Sequence, residues 1–107
     1  MSFADLIQSD IRLVILKALA QDLGYSHNDS ILHAALGMYG HKCSRDVVRS
    51  ELSWLKEQGL ITIDMVGETY VATITERGVD VANGAATVPG VKRPGPPARP
   101  SNDWMER

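Results

Sequence analysis

The sequence predicts one small α+β domain built from three helices, a two-stranded hairpin and a short closing helix, followed by an extended C-terminal tail. Three observations carry this prediction: a helical apolar stripe before Gly59, an alternating pattern directly after it, and a proline-rich composition near the C-terminus. With 107 residues, of which 44 % are hydrophobic, the chain has room for a single core. We expect the domain to span residues 1–84 and the tail to span residues 85–107.

The helix that begins after Ser44 is the best-defined element of the sequence. Val48, Leu52 and Leu55 recur at helical spacing and form one apolar stripe. Ser44 is placed to accept a hydrogen bond from a free amide of the first turn, and Gly59 can adopt the left-handed conformation that ends a helix. We therefore predict a helix between these two residues.

The residues after this helix have the pattern of a β-hairpin. Ile61, Ile63 and Met65 alternate with polar side chains, and the run 70–74 is rich in strand-forming residues. Gly67 suits a tight two-residue connection between the two strands. A helix followed directly by a short hairpin is typical of the second half of a winged helix-turn-helix domain.

A long helix is predicted at the start of the chain, from just after Ser2 to about Leu23, with Ser2 and Asp5 at capping-box spacing. The consecutive apolar residues Leu13–Leu16 point all the way round this helix. Two interpretations stay open: other helices of the same chain surround it, or its outer face forms a homodimer contact. On the second interpretation, the dimer interface contains Leu6, Leu13, Leu16 and Trp104.

Two further helices complete the predicted domain. The first of them starts at Ser26, which has Asp29 at capping-box spacing, and ends at Gly40. A short turn joins it to the apolar-striped helix, and the two form a helix-turn-helix unit. The closing helix follows a cap at Thr75 and ends at Gly84.

The helix after Ser44 is the candidate DNA-reading element. In winged helix-turn-helix proteins this helix lies in the major groove, where arginine pairs with guanine edges or phosphates and serine reaches either. The alternative is a solvated face with internal ion pairs, since the helix holds as many acidic as basic residues. On the first interpretation, the DNA-contacting residues are Ser44, Arg45, Arg49, Ser50, Ser53 and Lys56.

The charge distribution of the chain is evidence against a simple basic surface that binds DNA phosphates. The chain carries −2, and residues 84–107 hold four basic against two acidic side chains, so residues 1–83 carry −4. The predicted hairpin tip contains Asp64 and Glu68 and no basic residue, and we expect no phosphate contact there. The basic side chains predicted as auxiliary phosphate contacts are those of Lys92, Arg93 and Arg99.

The tail has a composition that neither continues a helix nor buries a core. All five prolines of the chain lie between Pro89 and Pro100. We therefore expect the tail to be extended or disordered. Trp104 lies near its end among charged residues, either by chance or as a small apolar anchor that docks on a partner or on the second copy of a dimer.

Several chemical functions are not expected from this sequence. The motifs typical of enzymes are absent, so we expect neither catalysis nor a cofactor, and no His or Cys spacing is typical of a metal site. The single cysteine, Cys43, precedes a helix start and is either a redox-sensitive thiol or a half-buried structural residue. Since no apolar run is long enough to span a bilayer, we expect no membrane contact and a cytoplasmic protein.

With these residues in view, the segments VVRSELSWLKEQGLITI and YVATITERGVDVA resemble the recognition helix, wing and closing helix of bacterial ArsR-like and MarR-like regulators. The shared pattern is an apolar helix stripe, a terminal glycine followed by Leu-Ile, and Thr-x-x-Gly after the hairpin. More narrowly, the segments MSFADLI, RLVILKALA, HKCSRDVVRSELSWLKEQGLI, TERGVDVA and ATVPGVKRP extend over nearly the whole chain up to Pro94. Through them the sequence resembles the small winged-helix proteins of Mu-like phages and prophages. This resemblance implies a phage gene and the cytoplasm of a bacterial host.

We therefore expect a phage-encoded winged-helix protein that binds double-stranded DNA as a homodimer, in transcription regulation or in the handling of phage DNA. The alternative is a protein-interaction module of the same fold, which binds a phage or host protein without binding DNA. The acidic domain and Trp104 favour the alternative, because acidic faces suit a basic partner and a tail can order on binding.

Overall fold

The computed structural model describes residues 1–95, which form four helices and a three-stranded antiparallel sheet. In chain order the elements are α1 (Phe3–Gln21), β1 (Ser26–Asn28), α2 (Asp29–Met38), α3 (Arg45–Glu57), β2 (Ile61–Val66), β3 (Thr69–Ile74) and α4 (Glu76–Asn83). The predicted α+β class is confirmed. Arg99 and Trp104 lie outside the described residues. Within residues 1–95, every helix is too short or too polar to cross a lipid bilayer.

The starts of α1 and α3 follow local capping signals. At α1, the Ser2 hydroxyl accepts a hydrogen bond from the Asp5 amide at 3.0 Å, and the Asp5 carboxylate accepts one from the Ser2 amide at 3.2 Å. Ser44 caps α3, because its hydroxyl accepts a hydrogen bond from the Val47 amide at 3.2 Å. Both helices therefore begin where the sequence predicts, although α1 ends two residues earlier than expected.

β2 and β3 form the predicted hairpin. Their register places Ile61 opposite Ile74 at the open end and Val66 opposite Thr69 at the turn. Gly67 has a φ of 64°, a conformation that glycine adopts without steric cost. The strand order in the sheet is β1-β3-β2, so β3 lies in the middle and pairs with both edge strands, β1 and β2.

The third strand lies where a helix start was predicted. Ser26 is the first residue of β1 and pairs with Thr73 of β3, and their hydroxyl oxygens lie 3.0 Å apart. α2 therefore begins later, with Asn28 as its cap, whose side-chain oxygen accepts a hydrogen bond from the Ile31 amide at 2.8 Å. The capping-box interpretation of Ser26 is wrong because its strand partner lies 47 residues along the chain, beyond the reach of a local signal.

α1 lies at the centre of the core. It packs against α2, α4 and β3, and the side chains of Leu13–Leu16 are all buried. The expectation that Leu13 and Leu16 belong to a dimer interface is wrong, because their own chain encloses both side chains. Leu6, nearer the N-terminus, remains 41 % exposed.

The core extends beyond the predicted domain boundary into residues 85–94, which we call the strap. The strap has no helix or strand, yet its Val88 and Val91 side chains are buried. The Lys92 amide donates a hydrogen bond to the Ser9 carbonyl of α1 at 3.1 Å. The strap therefore covers apolar surface of the domain instead of leaving it at Gly84.

Candidate nucleic-acid interface

One side of α3 lies on the surface of the domain along its whole length. Its apolar stripe faces the core, as predicted, and is buried. Exposed residues at helical spacing form the opposite side, which we call the outward stripe: Asp46, Ser50, Ser53 and Glu57. Two hydroxyl groups flanked by two carboxylates thus face the solvent, and no basic residue lies within this stripe.

Beside the outward stripe, two arginines of α3 bind one buried carboxylate of α2. Asp29 lies in the first turn of α2 and is 0 % exposed. Arg49 donates through Nε to its Oδ2 at 2.7 Å, and Arg45 donates through Nη2 to its Oδ1 at 3.2 Å. This arrangement, the arginine fork, joins α2 to α3 and directs both guanidinium groups along one flank of α3.

Arg49 also connects α3 to the hairpin. Its Nη2 donates a hydrogen bond to the backbone carbonyl of Glu68 at 3.0 Å, and its guanidinium carbon lies 4.8 Å from the centre of the Tyr70 ring. The hairpin turn is therefore held beside α3 through backbone and ring contacts. The acidic side chains at the tip, those of Asp64 and Glu68, are left exposed.

The fork keeps Asp29 ionised. Burial acts to raise the pKa of its carboxyl group, but hydrogen bonds from Arg49 and Arg45, together with their charges, outweigh burial and hold the pKa below its ordinary value of 3.8. Because removal of one partner from a buried ion pair is strongly destabilising, the fork is a structural unit as well as a source of positive charge.

The other predicted contact residues of α3 differ in their freedom to bind DNA. The Ser44 hydroxyl is engaged as the helix cap. Ser50, Ser53 and Lys56 are exposed. The Arg45 side chain is 50 % exposed despite its hydrogen bond to Asp29. The structure therefore brings together one arginine, two serines and one lysine that are accessible along the same helix.

The basic residues of the strap lie against α1. Lys92 Nζ is 3.4 Å from Asp10 Oδ1, and Arg93 is exposed beside a shallow groove lined by Met1 and Leu6. Lys92 does not extend the arginine fork, since its ion-pair partner lies on the first helix, and Arg93 lies beside a groove that α1 also lines. Arg99, the third predicted auxiliary residue, lies outside the described residues.

A second buried carboxylate lies on the other flank of α3. Glu51 is 5 % exposed and accepts hydrogen bonds from Arg12 Nε at 2.6 Å and from Gln8 Nε2 at 2.8 Å. Arg12 also lies 3.7 Å from the centre of the Trp54 ring and donates to the Gly90 carbonyl at 3.1 Å. This cluster joins α3, α1 and the strap. Its pairing was not predicted, because Glu51 and Arg12 are 39 residues apart and no local pattern connects them.

Cys43 does not have the surroundings of a reactive thiol. Burial raises the pKa of the thiol, and the charge of Glu51 raises it further, so the thiolate is disfavoured. The Cys43 carbonyl oxygen lies 2.7 Å from His33 Nε2, within the packed connection between α2 and α3. This environment favours the structural interpretation over the redox one. Within residues 1–95, the His, Cys, Asp and Glu side chains form no group of three that could hold a metal ion.

Two relatives resemble the chain over most of its length. The uncharacterized protein gp26 of Escherichia phage Mu is 51 % identical over 94 residues, which cover 88 % of this chain and 97 % of gp26. An uncharacterized protein of Haemophilus influenzae is 53 % identical over 78 residues, which cover 72 % of this chain and 76 % of that protein. No protein-family model and no solved structure matches the chain.

Proposed function

The chain belongs to the family of gp26 of Escherichia phage Mu, and on this premise we propose that it is a phage-encoded winged-helix protein that binds double-stranded DNA. The observation that carries the proposal is the exposed side of α3, which lies beside the β2–β3 hairpin and is joined to it through Arg49. The role of such binding would be transcription regulation or the handling of phage DNA.

The order of the elements supports a winged helix. α2 and α3 are connected by a short turn and are followed directly by the hairpin. β1 precedes α2 and completes the sheet by pairing with β3. In this arrangement the second helix of a helix-turn-helix enters the major groove, with its N-terminal residues against base edges.

The side chains on this part of α3 are suited to DNA contacts. Arg45 is half exposed and can pair with a guanine edge or a phosphate. Ser50 and Ser53 lie on the outward stripe and can donate to phosphate or base oxygens, and Lys56 adds a charge one turn further along. Asp46 and Glu57 lie exposed at the two ends of the stripe, where their carboxylates repel phosphate groups. We therefore expect phosphates to approach α3 closely only between these two residues.

The proposal is tested by the affinity of the full chain for a fluorescent random-sequence duplex over a series of salt concentrations. The apparent Kd should rise steeply with salt, because each neutralised phosphate releases counterions. Ser50→Glu should weaken binding about tenfold or more, since it places a carboxylate against the phosphates. Thr87→Glu makes the same kind of change at an exposed strap position and should leave the affinity close to that of the wild type.

Absence of salt-dependent binding at low ionic strength would contradict the proposal. A second candidate, a protein-interaction module, would then be favoured. The observation that supports it is the acidity of the exposed surface, which includes Asp46 and Glu57 on α3 and Asp64 and Glu68 at the hairpin tip. Such a surface suits a phage or host partner with a basic face.

A homodimer would place two α3 helices on successive half-sites of the duplex. The exposed apolar side chains of the first turns of α1, those of Phe3 and Leu6, are the surface that we propose for this contact. It is smaller than the interface predicted from the sequence, because Leu13 and Leu16 belong to the core.

A further inference from the structure

We propose that Asp29 is a positioning residue of the DNA-contacting surface: its buried carboxylate fixes the guanidinium groups of Arg45 and Arg49 in the orientation that DNA binding requires. The inference rests on the proposed function and deepens it, because it names a residue that acts through two others without touching DNA itself.

Asp29 is placed to hold both arginines at once. Its side chain is inaccessible to solvent, and its two carboxylate oxygens are used separately, Oδ2 by Arg49 at 2.7 Å and Oδ1 by Arg45 at 3.2 Å. The arginines lie one turn apart on α3, whereas Asp29 opens α2. One carboxylate therefore sets the rotamers of two side chains and the relative position of two helices.

The fork leaves donors available for an external partner. A guanidinium group has five N–H donors, and the contact with Asp29 uses Nη2 of Arg45 and Nε of Arg49. Arg49 uses Nη2 for the Glu68 carbonyl as well. A long basic side chain loses rotamer freedom when it binds phosphate. A guanidinium group that Asp29 already holds in one orientation loses less of this freedom, so its binding costs less conformational entropy.

The fork also positions the hairpin. Through Arg49, the ion pair with Asp29 extends to the Glu68 carbonyl and the Tyr70 ring. The tip of the hairpin has no basic side chain, and Arg49 joins the turn to α3 in addition to the packing of β2 on α3. Loss of the carboxylate would loosen both arginines and the hairpin turn together.

The effect of net charge and the loss of arginine positioning would change the DNA affinity of Asp29→Asn in opposite directions. The substitution keeps the shape of the side chain and raises the net charge by one, so simple electrostatics predicts tighter DNA binding with a steeper salt dependence. If Asp29 positions the arginines, binding should instead weaken by about tenfold, the loss expected for one well-placed arginine contact. The sign of the change in affinity therefore decides between the two roles.

Glu51→Gln provides a matched control. Glu51 is also a buried carboxylate with two side-chain partners, but these lie on α1, away from the fork. The control changes the net charge by the same amount and removes a comparable ion pair. It should leave the affinity for the duplex close to that of the wild type or raise it slightly. Circular dichroism at the assay temperature verifies that each variant is folded.

If Asp29→Asn does not fold, a second variant, Arg49→Lys, tests the positioning role instead. Arg49→Lys keeps the charge and a donor for Asp29, but it loses the planar group that also contacts Glu68 and Tyr70. The positioning role predicts weaker binding at unchanged net charge. Arg12→Lys, the same replacement in the cluster on the opposite flank, is its control.

The possible results separate the two proposals. Weaker binding by Asp29→Asn, or by Arg49→Lys where Asp29→Asn does not fold, supports the positioning role when the matched controls retain binding. If Asp29→Asn binds as tightly as Glu51→Gln or more tightly, Asp29 is only a counter-charge and the positioning role is overturned, while DNA binding stands. If the wild type fails to bind the duplex, both proposals are overturned.

Discussion

Gly90 of the strap lies directly against the indole of Trp54, so close that a Cβ at residue 90 would come within 2.8 Å of the ring. The φ of Gly90 is 101°, a conformation that L side chains rarely adopt. Arg12 stacks on the same ring, with its guanidinium carbon 3.7 Å from the ring centre. The strap therefore docks on α3 at a point where both space and backbone conformation require glycine.

Gly90→Ala is accordingly expected to lower the free energy of unfolding by about 2 kcal/mol, through strain at positive φ and overpacking against the ring. Gly40→Ala is the control, since Gly40 also has a positive φ, 88°, but has open space where a Cβ would lie. It should cost only about 1 kcal/mol. Urea denaturation of the two variants checks this, and equal losses would show that the contact with Trp54 is unimportant.

The strap is expected to contribute to stability through its apolar side chains. Val88→Ala removes two buried methyl groups and should lower the free energy of unfolding by about 2 kcal/mol. Val66→Ala, the same change at the exposed end of the hairpin, should alter it by less than about 0.5 kcal/mol. If the two variants unfold at the same urea concentration, the strap is not part of the cooperative core.

The ionised Asp29 should make stability depend on pH in the acid range. Because the pKa of Asp29 is lower in the folded chain than its ordinary value of 3.8, its contribution is fully present above that pH and is lost as the pH falls through the folded-state pKa. At pH 7, Asp29→Asn should lower the free energy of unfolding by about 2 kcal/mol, since hydrogen bonds to a charged group are lost.

The difference between the wild type and Asp29→Asn should therefore shrink as the pH is lowered below 3.8. Urea denaturation of both proteins from pH 7 to pH 3 measures this difference. A difference that stays constant over the whole range would mean that the fork does not depend on the charge of Asp29.

Self-association is expected to depend on the first turns of α1. Leu6→Asp should convert a dimer to a monomer in size-exclusion light scattering, because it places a charge in an apolar contact. Met38→Asp is the control, since Met38 is 86 % exposed and lies at the end of α2. A monomeric mass for the wild type at micromolar concentration would contradict the proposed contact, as would a dimer that survives Leu6→Asp.

The helices α1 and α3 and the hairpin are predictable because their signals are local. The hydroxyl groups of Ser2 and Ser44 cap their helices within three residues, and the hairpin turns at Gly67 between two alternating runs. Each of these signals acts over one turn of helix or across one tight turn. The α+β class follows from them without knowledge of how the elements pack.

The candidate site was predicted only in part. The accessibility of Ser50, Ser53 and Arg45 follows from their spacing on an amphipathic helix. The pairing of Arg45 and Arg49 with Asp29 does not, since the partners are 16 and 20 residues apart and lie on different helices. The sequence indicated equal numbers of acidic and basic residues on α3, but not which of them are buried.

By itself the sequence thus determined the secondary structure that arises from capping, periodicity and tight turns. Only the tertiary structure decided that Ser26 joins a strand, that Leu13 and Leu16 lie inside the core, and that the strap packs on α1 and α3. Each of these features depends on contacts between residues that are far apart along the chain. Their free energy comes from burial and pairing that exist only once the elements have assembled.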